Sequence, residues 1–337
     1  MKQIVLSGDE EKRRFKEKPV SNIMLNYFEE NSEQILYGFF RDYTSEHTIN
    51  SYRNDLSQFG SYIKENFPDL SILSVKHDHI VSFKNFLLVH GGKNNSSCTD
   101  QTINRKLAAI RRFYQYLLYR QIIERDPAQK IKRIRLKREH KTRDISDLDV
   151  RKLIDSIDLD SPSGALHKAI ILLFFTTGIR HGELRFLKGK NYCEIDGLKV
   201  IHYVAKGRKE MTTPLNRECR LALDYYLSWM KEKGRQVRNE DFLFQPTRNR
   251  ANDIGLNKML TTKAINYIIK KNCERIGITG KISAHSARAT VIGSLLDKGF
   301  DIYKVASFVG HDDINTTKGY SKRKMKLRES PSFDLNY

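Results

Sequence analysis

Two histidines, two arginines and a late tyrosine stand in a fixed order in the C-terminal half of this 337-residue chain. His285-Ser-Ala-Arg288 is followed by Gly310-His311, and Tyr320 comes nine residues after that histidine. Upstream, Thr177-Gly-Ile-Arg180-His-Gly-Glu183-Leu184 supplies the other arginine. A guanidinium grips two phosphate oxygens in a planar fork that lysine cannot reproduce. A phenol can attack phosphorus once a base takes its proton, and histidine titrates in the range such a base needs. These residue types therefore suit attack of a tyrosine on a phosphodiester, with the arginines holding the phosphate and stabilising its charge.

Each piece alone has an ordinary explanation. Arg180 and Glu183 lie three apart on one face of an apparent helix, which describes a surface ion pair as well as a carboxylate aiming a phosphate fork. His285 and Arg288 also share a face, and the plain alternative is a capping histidine beside an exposed arginine. Lys206 sits at the tip of a predicted hairpin, in Ala205-Lys206-Gly207-Arg208, where it can deliver a proton to a departing oxygen. Arg208 and Lys209 compete for that role, and Lys-Gly is unremarkable in a turn. Most of the sixteen tyrosines must be partly buried structural residues. Around Tyr320, however, Lys318, Gly319, Ser321 and Lys322 are polar or small, which argues against a deep core position.

The elements that must position these residues can be traced along the chain. Residues 1–27 are polar, with mixed charges, and read as an arm. Ile49, Tyr52, Leu56, Phe59 and Ile63 recur at helical spacing and predict a helix over 47–63 with Thr48 as its N-cap. Ile103, Leu107, Ile110, Tyr114 and Leu117 predict another over 101–120, whose other faces carry Arg105, Lys106, Arg111 and Arg112. Ile80 to Leu88 forms a third. Residues 28–127 thus read as a small helical domain with a basic surface, although arginines on a solvated face need no further role. Asp126-Pro127 closes it.

Residues 128–143 then form a basic linker. Positions 130–143 hold eight Lys/Arg, among them Lys132, Arg133, Arg135, Lys137 and Arg138, against one Glu. Charges this dense repel one another and keep the segment extended until a polyanion neutralises it. A second domain follows over 144–323. Ser146 or Asp147 caps its first helix, and 163–177 is apolar enough to be core. Residues 195–215, rich in β-branched and aromatic side chains, read as an antiparallel hairpin about a Lys-Gly turn. Helices return at 216–233, 261–277 and 285–298, and a last pair flanks Gly310. The tail, 324–337, is polar, with Phe333 and Leu335 as isolated apolar residues. The fold class is mainly α: two domains closing as a clamp, the second with a small antiparallel sheet.

Lys and Arg outnumber Asp and Glu by 60 to 40, a net charge of +20, which points to a polyanionic partner. The longest apolar run, Ala169 to Phe175, is far too short to span a bilayer, and Ile4-Val5-Leu6 is too short for a secretory segment. A cytoplasmic, nucleoid-associated protein with no membrane partner is expected. Cys98, Cys193, Cys219 and Cys273 are scattered, with no zinc spacing, and read as reduced structural residues.

Taken together, the segments resemble the tyrosine recombinase (phage integrase) family over roughly 28–325. Arg180, Lys206, His285, Arg288, His311 and Tyr320 follow the family's order, Arg, Lys, His-x-x-Arg, His, Tyr. Thr177 to Leu184 looks like its first arginine box, and Phe308 to His311 with Thr316 to Tyr320 looks like its last. The N-terminal helices are similar to its SAM-like core-binding domain. One departure is Ala289, where the family often has a second histidine. The resemblance implies site-specific recombination of double-stranded DNA through a 3′-phosphotyrosyl link, with His285 as base, His311 as a further donor and Lys206 as acid. It also implies that no ATP, metal or other cofactor is needed, that four protomers act on two duplexes, and that accessory DNA-bending or directionality proteins assist. The rival readings are a type IB topoisomerase, which shares the chemistry but reseals the same strand, and a DNA-binding regulator with an inactive site. All six site residues are present, which argues against decay.

Overall fold

The computed structural model describes residues 32–136, 144–205, 209–247, 256–280 and 282–320. The arm, Lys137, Arg138, Lys206, Arg208 and the tail lie outside them. The chain divides into two compact units, one ending at Arg138 and the other beginning at Glu139.

The first unit is helical: α1 (Ser32–Arg41), α2 (Glu46–Asn66), α3 (His77–Val89) and α4 (Asp100–Tyr119). Their apolar stripes meet in an aromatic-rich core that includes Phe40, Phe59, Phe83, Phe113 and Tyr114. The Tyr114 hydroxyl donates to the Ile72 carbonyl (2.9 Å), so the one polar atom of this buried ring is satisfied. Helix α2 starts earlier than Thr48. The cap is Ser45, whose hydroxyl accepts the Thr48 N–H at 3.4 Å, and Thr48 lies in the first turn.

The linker also begins later than expected. Ala128 and Ile131 are buried in the first unit's core. Asn104 grips Ile134 from both sides, donating to its carbonyl (2.8 Å) and accepting its N–H (2.9 Å). Two isoleucines three residues apart anchor this stretch, while Lys132, Arg133 and Arg135 stay exposed. The charge density hid an apolar anchor.

In the second unit α5 (Asp147–Asp155) is capped by Ser146, and α6 (Gly164–Thr177) is buried along nearly its whole length. A short α7 (His181–Phe186) follows. The sheet has three antiparallel strands in the order β1 (Tyr192–Ile195), β2 (Leu198–Val204), β3 (Glu210–Pro214). The hairpin expected over 195–215 is the β2–β3 half of it. Strand β1 was not foreseen, because four half-exposed residues carry little periodic signal. It joins β2 through Asp196-Gly197, both at positive φ (52° and 74°), as a tight hairpin turn requires. Helices α8 (Arg217–Glu232), α9 (Thr262–Arg275), α10 (Ala284–Asp297), α11 (Ile302–Val309) and α12 (Ile314–Lys318) complete the unit. The core of this unit is built on α6 and α8, with one face of the sheet and the start of α10 against them.

Candidate active site

Arg180 immediately precedes α7 and takes the extended backbone of an N-cap (φ −72°, ψ 144°). Glu183, at the third helical position, reaches back. One carboxylate oxygen accepts the Arg180 backbone N–H and the other accepts Nη1, both at 2.9 Å. The capping interaction that starts the helix therefore also aims the guanidinium. The second terminal nitrogen, Nη2, donates to the Gly310 carbonyl at 2.8 Å.

Arg288 is buried on α10, and its two terminal nitrogens donate to the Gly178 and Val309 carbonyls at 2.6 and 2.5 Å. Gly178 ends α6 and Gly310 ends α11, both in left-handed geometry (φ 63° and 67°). The carbonyls at such helix ends have no intrahelical partner and lie at the negative end of the helix dipole. Two helix C-termini thus hold two arginines side by side. Burial first, and then Arg180, lower the Arg288 guanidinium to about 10. Small side chains permit the packing of α10: Ala284, Ala287 and Ala289 are all buried.

His311 leaves α11 through Gly310, and its N–H closes the helix cap on the Ala306 carbonyl (2.9 Å). Its Nδ1 pairs with the Thr317 hydroxyl on α12 at 2.8 Å. The ring is stacked on Tyr320, with centroids 6.3 Å apart and planes 14° apart. Tyr320 follows α12 and also packs on the small cluster of Ile292, Val305 and Val309. Its hydroxyl lies 3.4 Å from His285 Nε2, a long hydrogen bond. Burial holds the phenol above its ordinary range, and Arg288 and then Arg180 offset part of that rise. Burial, then Arg288, His181 and Arg180, lower His285, while burial and the same two arginines push His311 down to about 4. Neutral imidazoles therefore face the phenol. Two arginines against the single carboxylate of Glu183 leave a positive site that an anion would complete.

The sequence matches the phage integrase family over residues 143–326, more than half of the chain, and the phage integrase N-terminal SAM-like domain over 39–121. The chain belongs to the phage integrase family, the tyrosine recombinases. The recombinase is 28% identical over 282 residues to tyrosine recombinase XerC of Staphylococcus saprophyticus, covering 82% of this chain and 86% of that protein. It is 27% identical to tyrosine recombinase XerD of Shewanella oneidensis, over 82% of this chain and 86% of that one. In fold it resembles the XerH site-specific recombinase bound to palindromic difH substrate (TM-score 0.68, 19% identity, 99% of this chain and 92% of that one). It also resembles a lambda integrase fragment bound as a dimer to a core site (TM-score 0.63, 13% identity, 87% and 95%). Membership of this family makes the protein an enzyme that cleaves and rejoins DNA.

Five of the six expected catalytic residues of the recombinase, Arg180, His285, Arg288, His311 and Tyr320, meet in this site. Lys206 lies outside the described residues; among the described ones, the Ala205 N–H donates to the Lys209 carbonyl (2.7 Å). Reading the sequence missed the carbonyls of Gly178, Val309 and Gly310 and the Thr317 hydroxyl. Gly178 and Gly310 stand within the motifs, and their position after helical runs is the available signal. Among the residues expected to contact DNA, Lys106 needs correction. It is buried and paired with Asp55, because α4 turns that side toward α2. Arg111 is half-buried and donates to the Ile131 carbonyl. Arg105 and Arg112 are exposed.

Proposed function

We propose that the recombinase cuts one DNA strand by in-line attack of the Tyr320 phenol on a phosphodiester gripped by Arg180 and Arg288. The new bond joins the phenolic oxygen to phosphorus, and the P–O5′ bond breaks. The phenol's proton passes to His285 Nε2, directly or through one water. The departing 5′ oxygen takes a proton from Lys206, the role the family pattern gives that position. The two arginines neutralise the charge that grows on the non-bridging oxygens. Donors held in place before reaction act without reorganisation, and each contributes on the order of 3 kcal/mol. His311 adds a donor once the phosphate's charge favours its protonation. A 5′-hydroxyl of a second strand then attacks the phosphotyrosine and gives its proton to Lys206. The bond from phosphorus to the Tyr320 oxygen breaks, and the phenol takes back the proton held on His285. One phosphoester thus replaces another, and no ATP is consumed. No metal is required in this scheme, since guanidinium groups supply the charge.

The observation that carries this reading is the 3.4 Å approach of the Tyr320 hydroxyl to His285 beside two arginines fixed by carbonyls. Two units clamping a duplex, with Arg105, Arg111, Arg112, Lys132, Arg133, Arg135, Lys137 and Arg138 on the phosphates, and four protomers on paired sites complete the proposal. Covalent trapping tests it. A nicked suicide duplex from the gene's own flanks is incubated with wild type and Tyr320→Phe, then run on a denaturing gel. A protein–DNA band in wild type only is the expected result. Tight, salt-sensitive binding without any band would refute the nucleophile and favour a regulator. Resealing of the same strand only would favour a topoisomerase.

A further inference from the structure

Helix α4 offers solvent a continuous face: Gln101, Arg105, Ala108, Arg112, Gln115 and Tyr119 recur every three or four residues over about 27 Å. The helix has one carboxylate, Asp100 in its first turn, and none on this face. Arginine and glutamine are the side chains best shaped for paired hydrogen bonds to phosphates and purine edges. Behind the face lies an arrangement that neutrality does not explain. Asp55 of α2 is buried, its side chain only 1% exposed, yet it pairs with two cations. Lys106, with 11% of its side chain exposed, sits 3.3 Å from Oδ1 and alone balances the charge. Arg105 takes the other oxygen with one Nη while 47% of its side chain stays open to solvent. A buried ion pair is a costly way to gain stability, because desolvation offsets much of the attraction. It is an effective way to hold a surface guanidinium in one orientation, since a fork already ordered loses less entropy when it binds.

We infer that Asp55 is a positioning residue that fixes the Arg105 fork on the outer face of α4 for contact with DNA. This rests on the reading of the first unit as DNA-binding. The carboxylate thereby strengthens binding to a polyanion although its own charge opposes it. That gives the test a sign. If Asp55 only balances charge, Asp55→Asn raises the net positive charge and tightens binding. If it positions Arg105, the same change weakens binding.

The measurement is fluorescence anisotropy of the full chain on a labelled mixed-sequence duplex across a salt series, with thermal melts alongside. Asp55→Asn and Arg105→Lys are each expected to weaken binding about tenfold. Arg105→Lys keeps the charge but loses the fork. In an Arg105→Ala background, Asp55→Asn should add nothing, whereas a structural effect would add in full. Binding by Asp55→Asn as tight as wild type, or fully additive losses, would overturn the inference. Should Asp55→Asn melt below the assay temperature, Arg105→Lys decides, and unchanged binding by it also overturns the inference. Wild type that fails to bind the duplex would instead overturn the DNA-binding reading itself.

Discussion

At the scale of single residues, the site depends on proton position. His285 is held below its ordinary range by burial and then by Arg288, which suits it to the proposed role of accepting the Tyr320 proton at neutral pH. Protonation disables it. Cleavage at subsaturating DNA, which reports the free enzyme, should fall as pH drops through that lowered value. His285→Gln should slow cleavage by about 10² or more and remove the acid limb. A wild-type rate that stays flat with falling pH would exclude His285 as the base. His311 carries a stability consequence. Its folded value of about 4 lies below the ordinary 6.5, so the unfolded chain takes up the proton first as pH falls. Stability should therefore decline from about pH 6.5 toward 4 and then level. His167, likewise lowered to about 4 by burial, adds to the slope. Thermal melts of His311→Gln should show a shallower decline than wild type. Arg288→Lys should lower both stability and cleavage, because one ammonium cannot replace a fork spanning the Gly178 and Val309 carbonyls.

At the scale of elements, the site is assembled from helix ends. Helix α6 ends at Gly178 and α11 at Gly310, and left-handed backbone at each turns a carbonyl region onto the arginines. A methyl group at Gly310 would meet Met211 Sδ at 3.2 Å and carry an unfavourable φ of 67°. Gly299 has a similar φ, 80°, with nothing within 4 Å. Gly299→Ala should thus cost about 1 kcal/mol of stability and leave cleavage near wild type. Gly310→Ala should cost more stability and also slow cleavage, since its carbonyl holds Arg180. Equal effects of the two substitutions on cleavage would contradict that role. Helix α10 contributes differently: its buried alanines let Arg288 lie deep while His285, packed toward the arginines on one side, keeps its other side open to solvent.

At the scale of the whole molecule, the net charge of +20 sets how DNA is met. A protein making six to ten phosphate contacts loses about 10³- to 10⁵-fold in affinity between 50 and 200 mM salt. Affinity of the full chain should follow a steep straight line against log salt. A flat line would argue against phosphate contacts as its main source. Cleavage of the suicide duplex should persist in EDTA, because in the proposed scheme guanidinium groups supply the charge that balances the phosphate. Loss in EDTA with recovery in magnesium would overturn that account.

Much of this was legible in the sequence, because helix period, caps and the order of the six site residues are local patterns. Ile103 to Leu117 announce α4, Ser146 or Asp147 announces the start of α5, and Arg180, His285, Arg288, His311 and Tyr320 stand in their motifs. The identity of each reacting group is a property of its side chain, so it is written in the chain. What holds those groups is not. The Gly178, Val309 and Gly310 carbonyls that lock the arginines belong to backbone, which is alike in every residue, and they meet their partners across 21 to 130 positions. The burial of Lys106 on Asp55, 51 positions away, likewise depended on how α4 rolls against α2. Composition counted that lysine as surface charge. Only the packing of one helix on another turned it inward, because the cost of burying its ammonium is met by a carboxylate from another part of the chain.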